Sequence, residues 1–208
     1  MIARGAGDGA PYHITGRLTV QRLVVFNSTS LDGYFTDAQG EMNFAHDIRP
    51  DAEFDAFTAG NASGGDGALL FGRRTYELMV KWWPTPAAAA AMPEVAAGMN
   101  RLRKYVASRT LKSVSWQNTT LLEGDLVAEV KRLKEGKGDG IVILGSGSLV
   151  PPLLAAGLID EIQVVLIPKV LGAGRTMFEG LPAPAALELT RTRSFKNGKV
   201  VLYYEPAR

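Results

Sequence analysis

Three short segments of this 208-residue chain carry residue types that grip phosphate. Gly72-Arg73-Arg74-Thr75 follows the apolar run Ala68–Phe71, and Ser108-Arg109-Thr110 follows Tyr105–Ala107. Gly145-Ser146-Gly147-Ser148-Leu149 follows Ile141–Leu144. Glycine bares backbone N–H groups, the hydroxyls add donors, and arginine offers a planar fork that takes oxygens two at a time. Each segment alone has a plainer reading. Paired arginines form an exposed basic turn, Thr75 caps the next helix whatever lies near it, and Gly-Ser-Gly-Ser is a tight turn. Three such strand ends in one chain, two of them cationic, point to a phosphorylated dinucleotide.

Other candidates are less specific. Asp32-Gly33 is a turn signal, and a carboxylate there can orient a substrate amine or deliver a proton. Glu53 and Asp55 read as solvated helix residues. Trp82-Trp83 reads as packing, or as indoles that cover a flat ring. His13 and His46 have no metal-ligand spacing with each other or with carboxylates, so no metal is expected. Gly145-x-Gly147 opens like a dinucleotide fingerprint, but Val150 stands at its third glycine and Pro151-Pro152 follow. About twenty positions on, where that fingerprint needs an acid for the ribose, stand Pro168 and Lys169.

These turns need a sheet to hold them. Arg22–Asn27, Ala68–Phe71, Lys104–Ala107, Thr119–Leu122, Ile141–Leu144 and Ile162–Ile167 read as strands, several of them apolar runs as in a sheet covered on both faces. Helices are expected over Asp51–Phe57, over Thr75–Val80 and through Val95, Met99 and Leu102. Another follows Asp125 as cap, with Leu126, Val127, Val130 and Leu133 as its apolar stripe. Ser148 is expected to cap a helix with Pro151 in its first turn, stopped by Gly157. Thr85–Pro93, alanine-rich between prolines, reads as a loop. Leu187–Thr192 and Val200–Tyr204 flank Lys196-Asn197-Gly198-Lys199, a hairpin signal of type I′. Strand–helix alternation closing in a hairpin gives the α/β class with a mixed sheet.

Composition narrows the rest. Apolar residues are 46%, charged residues 21%, and the net charge is +2. That balance supports one domain with a sizeable core and argues for neither a nucleic-acid nor a membrane surface. No apolar stretch is long enough to cross a bilayer. The absence of cysteine excludes disulfides, thiolate catalysis and cysteine-ligated zinc. Residues 1–20 read as a flexible extension with no secretory apolar core, residues 21–208 as the domain, and a cytoplasmic location follows by default.

From about Arg22 to Pro206 the chain resembles the dihydrofolate-reductase-like superfamily. It is most similar to the branch holding the reductase half of the bifunctional riboflavin-biosynthesis deaminase–reductase, the RibD C-terminal domain. The residues that carry the resemblance are Ser30-Leu-Asp-Gly-Tyr34, Leu70-Phe-Gly-Arg-Arg-Thr-Tyr-Glu77, Trp83-Pro-Thr85, Asn100 with Lys104–Leu111, Gly145–Val150, and Gly157–Glu161 leading to Pro168–Gly174.

The resemblance implies a three-layer fold whose central, mostly parallel sheet of about eight strands is flanked by helices and ends in an antiparallel hairpin. It implies NADPH as hydride donor to a C=N or C=O carbon of a small heterocycle or ribosylamino-pyrimidine. Such an enzyme is like the 5-amino-6-(5-phosphoribosylamino)uracil reductase or like dihydrofolate reductase. Gly72, Arg73, Arg74 and Thr75 would hold the pyrophosphate, and Ser108, Arg109 and Thr110 the 2′-phosphate. Gly145, Ser146, Gly147, Ser148 and Leu149 would approach the nicotinamide and pyrophosphate. Asn27, Ser30, Asp32, Trp83, Leu171 and Gly172 would line the substrate side, with Asp32 catalytic, orienting the substrate or helping to protonate it. Glu53 and Phe57 have the spacing of the dihydrofolate reductase substrate acid, in a poorly matching context. No deaminase half is recognisable in these residues, so a complete bifunctional enzyme is not expected. A homodimer is expected, and a non-catalytic NADP(H)-binding module of the same fold is the alternative.

Overall fold

The computed structural model describes residues 20–63 and 67–207. The expected extension lies outside them apart from Val20, as does His13. Ten strands form: β1 Leu23–Ser30, β2 Tyr34–Thr36, β3 Ala68–Gly72, β4 Arg103–Ala107, β5 Thr119–Leu122, β6 Ile141–Leu144, β7 Glu161–Ile167, β8 Arg175–Thr176, β9 Leu187–Ser194 and β10 Val200–Pro206. Six α-helices join them: α1 Ala52–Ser63, α2 Arg73–Trp82, α3 Pro86–Ala91, α4 Pro93–Arg101, α5 Leu126–Lys134 and α6 Val150–Ala155.

Eight strands make one sheet in the order β5-β4-β3-β6-β1-β7-β10-β9, and β2 pairs with β8 apart from it. From β5 to β7 every pairing is parallel; β10 and β9 close the sheet antiparallel. Alternation along β3 decides which layer each residue joins. Leu70 meets Val130 of α5 and Leu153 of α6 in one core. Leu69 and Phe71 meet Tyr76 of α2 and Met99 of α4 in another. A third core gathers Phe54 and Phe57 of α1 around Ile167, Val201 and Phe195. With helices on both faces, β3 is buried at every position, which explains why it reads as an apolar run. The three-layer α/β fold with its terminal hairpin is the expected one.

Several local expectations are corrected. Thr85–Pro93 is not a loop: Thr85 accepts from Ala88 N–H and Pro86 opens α3, which is the preferred start of a helix. Thr75 does not cap α2, which begins at Arg73 behind Gly72. Ser148 does not cap α6; Leu149 stands there without a side-chain bond. The hairpin turn is not type I′, since Gly198 has φ +87° but Asn197 is not left-handed. Gly198 N–H bonds Phe195 C=O and Phe195 N–H bonds Lys199 C=O, the pattern of a type I turn closed by a bulged glycine.

Register places the functional segments. β1 pairs with β6 only up to Phe26↔Leu144, then continues beside β7 to Ser30↔Ile167. β6 therefore stops four residues short and leaves a notch at the carboxyl edge. Every candidate turn follows the carboxyl end of a parallel strand, where open α/β sheets gather ligands.

Candidate functional site

Five loops at that edge are linked in strand order by hydrogen bonds. Arg73 Nη1 donates to Thr110 Oγ1 at 2.9 Å, tying the β3 turn to the β4 turn. Gly72 N–H donates to Ser146 Oγ at 2.6 Å, tying the β3 turn to the β6 turn. Asn27 Nδ2 donates to Gly145 C=O at 3.1 Å, tying the β6 turn to β1. Leu171 and Gly172 N–H donate to the Asp32 carboxylate at 3.1 and 2.7 Å, tying β1 to the loop after β7.

The cationic end is open. Arg73 also pairs with Glu77 at 2.7 Å. Arg74 and Arg109 are exposed and make no ion pair among the described residues. Ser108 Oγ accepts from Thr110 and Leu111 N–H and keeps its own proton to donate. The first turn of α2 holds no acid, so its positive end is uncompensated there. This donor set, all cations, hydroxyls and amides, fits the phosphates of a dinucleotide such as NADPH.

The β6 turn packs closely on its own neighbours, Thr75 and Phe35. Gly145 and Ser146 are both left-handed, at φ +57° and +59°. A Cβ on Gly145 would lie 2.8 Å from Thr75 Oγ1, and one on Gly147 would lie 3.0 Å from the Phe35 ring. Ser146 is buried, and its hydroxyl faces inward to Gly72 N–H and Thr75.

Asp32 is a fastened carboxylate. Ser30 Oγ donates to it at 2.6 Å. That bond, opposed by partial desolvation and aided by the Gly172, Leu171 and Asp32 N–H groups, lowers its pKa to about 2. So lowered, the group stands as a carboxylate at neutral pH. It suits a charge that fixes the loop of Leu171 and Gly172, and Ser30 belongs to that lock. Asn27 is buried, with Nδ2 also reaching Met177 Sδ at 3.0 Å.

Other candidates stand apart. Trp83 packs against the core of Phe71 and Trp116, its Nε1 on Met79 Sδ at 3.0 Å. Ser148 is exposed and Leu149 buried in the α6 core. Glu53 is engaged by Arg193 at 3.0 Å, and Asp51, not Glu53, accepts from the first N–H groups of α1. A cavity of about 490 Å³ lined by Val80, Pro84, Asn100, Ser115, Trp116 and Gln117 shares no residue with the edge. Among the described residues no cluster suits a metal, and no helix is long and apolar enough to cross a membrane. Thr36, whose buried hydroxyl has no partner, gives no signal in sequence and comes into view only once β2 is seen to pack beside Gly174.

Comparison with known proteins gives a consistent pattern. The family model described as the RibD C-terminal domain matches residues 21–202. A protein of Shewanella sp. PV-4, provisionally named a riboflavin biosynthesis protein, is 22% identical with TM-score 0.66, over 90% of this chain and 99% of its own. The diaminohydroxyphosphoribosylaminopyrimidine deaminase/5-amino-6-(5-phosphoribosylamino)uracil reductase of Thermotoga maritima is 14% identical with TM-score 0.63, over 91% of this chain and 57% of its own. Dihydrofolate reductase from Enterococcus faecalis, complexed with NADP(H) and RAB-propyl, is 14% identical with TM-score 0.53, over 90% and 97%. At these identities the structures speak for the fold.

Proposed function

The chain belongs to the RibD C-terminal domain family, and on that premise we propose that it is an NADPH-dependent reductase. Its substrate is a small heterocycle or ribosylamino-pyrimidine with a reducible C=N or C=O carbon. The observation that carries the reading is the carboxyl edge: Arg74 and Arg109 without ion pairs at one end, then a glycine turn tied to β1, with the Asp32 lock following the end of that strand. When bound, NADPH supplies the hydride.

The chain's own residues then hold and orient. Arg73, Arg74, Thr75, Ser108 and Arg109 take the phosphates, with charge-assisted bonds as the stronger share. Gly145 and Gly147 let the ring side approach the backbone. Asp32 with Ser30 fixes Leu171 and Gly172 against the substrate, and Asn27 holds the floor of the notch. Catalysis rests on placing two reactants in contact. Asp32 would orient the substrate or help to protonate it.

Titration of the protein with NADPH and NADH tests the cofactor: tighter binding of NADPH is expected, and equal or absent binding overturns it. Oxidation of NADPH against dihydrofolate, 5-amino-6-(5-phosphoribosylamino)uracil and small carbonyls tests turnover. The alternative is a non-catalytic NADP(H)-binding module of the same fold; binding without oxidation across that panel selects it. The proposal includes a homodimer, consistent with Leu189 lying 53% exposed on the edge strand β9, and sedimentation equilibrium checks it.

A further inference from the structure

Ser146 is an anomaly at the centre of the edge. It is not glycine, yet it adopts a left-handed conformation at φ +59°, directly after left-handed Gly145. Glycine would take that backbone without strain, whereas serine does so rarely. It is also 7% exposed, so its hydroxyl is not held there for solvent.

What the hydroxyl reaches explains its presence. Ser146 Oγ accepts from Gly72 N–H at 2.6 Å and meets Thr75 Oγ1 at 2.9 Å, while Ser146 N–H donates to the same Thr75 oxygen at 3.1 Å. The single Ser146 hydroxyl proton has two acceptors in reach, Thr75 Oγ1 and Leu144 C=O at 3.2 Å. The bonds to Gly72 and Thr75 cross between two segments, the start of α2 and the turn after β6. Gly145 is held in the same contact, since any Cβ there would strike Thr75 Oγ1 at 2.8 Å.

We propose that Ser146 is a positioning residue that locks the arginine turn and the glycine turn into one rim, so that both engage a single dinucleotide. Its hydroxyl binds no ligand; it sets the distance between the groups that do. The inference rests on the NADPH reading and assigns Ser146 a different part from the direct contact that family resemblance implies.

Two substitutions separate the hydroxyl from the backbone. Ser146→Gly keeps the left-handed turn and removes the hydroxyl; Ser146→Ala removes the hydroxyl and keeps the strain. NADPH dissociation constants are measured by fluorescence titration of the full chain, with thermal unfolding on the same samples and amide exchange at Gly72. Both variants are expected to weaken NADPH by a similar factor of about ten, the scale of one or two lost hydrogen bonds. Only Ser146→Ala is expected to show the larger fall in unfolding temperature, and Gly72 exchange quickens in both. Thr75→Val should weaken binding too, and Ser146→Gly with Thr75→Val should cost less than the sum of the single changes, because the bond between the two hydroxyls is lost in both. NADPH binding by Ser146→Gly equal to that of the unaltered protein, or additive losses in the double variant, overturns the positioning role alone. Absence of NADPH binding by the unaltered protein overturns the cofactor reading and this inference with it.

Discussion

Charge is handled differently at the two ends of the same parallel strands. At the amino ends it is satisfied within the fold. Asp160 accepts from Leu23 N–H at 2.7 Å and pairs with Lys134, and Arg22 bridges Glu161 and Glu205 at 3.1 and 3.0 Å. Lys104, fully buried, donates to the carbonyls of Leu102 and Asn100 and lies over the Trp116 ring. At the carboxyl ends Arg74 and Arg109 stand exposed without ion pairs among the described residues, beside turns that bare backbone amides. One end is built as structure; the other carries charge that the fold itself does not use. A ligand site is distinguished by that surplus more than by the presence of charge.

The comparison breaks or sharpens under mutation. The largest effect on stability is expected from Glu161→Ala, which removes one half of a pair whose carboxylate is 2% exposed. We expect a loss of about 2 kcal/mol in urea unfolding, below the range for fully buried pairs because Arg22 is partly exposed, with NADPH affinity unchanged. The reverse change is Arg74→Ala with Arg109→Ala. It should raise the NADPH dissociation constant about thirtyfold, as two charge-assisted contacts on an exposed rim would, with unfolding unaffected. Equal damage to stability by both sets would erase the distinction between the ends.

Lys104 gives a pH signature at the amino end. Burial lowers its pKa to about 8. Between that value and the ordinary lysine range the unfolded chain binds the extra proton, so stability rises with pH through this window. Lys104→Met should remove the rise, read as unfolding temperature from pH 7 to 10.

The smallest effect is expected at Asp32. Its contribution is present above the ordinary carboxylate pKa and is lost as pH falls through about 2, because the folded-state value is lowered. Asp32→Asn should flatten the loss of stability between pH 4 and 2, and any rate profile of the unaltered protein should lack an Asp32 limb from pH 5 to 8. An acidic limb that disappears in Asp32→Asn would point to the protonating role.

Much of this was legible before folding. Apolar runs mark β3 and β6 because strands covered on both faces have no polar side, and Asp125 caps α5 by accepting from Ala128 N–H at 3.0 Å, a strictly local bond. The α3 helix was equally local: Thr85 before Pro86 is a start signal, masked by reading the alanines as a loop. Other features were not local. Ser28, Thr29 and Ser30 extend β1 because β7 pairs with them, not because of their own preference. The two-residue β8 exists only through β2. The motif of Trp83 points to the substrate side, while its packing beside Phe71 and Trp116 depends on residues distant in sequence.

By itself the sequence determined the residue types at each strand end, since glycine, hydroxyl and guanidinium chemistry does not depend on the fold. It also determined the layer class, through the period of its apolar residues. Tertiary structure alone decided that five distant turns share one edge, that β6 stops four residues short of β1, and that Ser146 faces inward while Arg74 and Arg109 face out. Those outcomes depend on strand order and register, which bring together residues as much as 140 positions apart, as in the bond from Gly172 to Asp32.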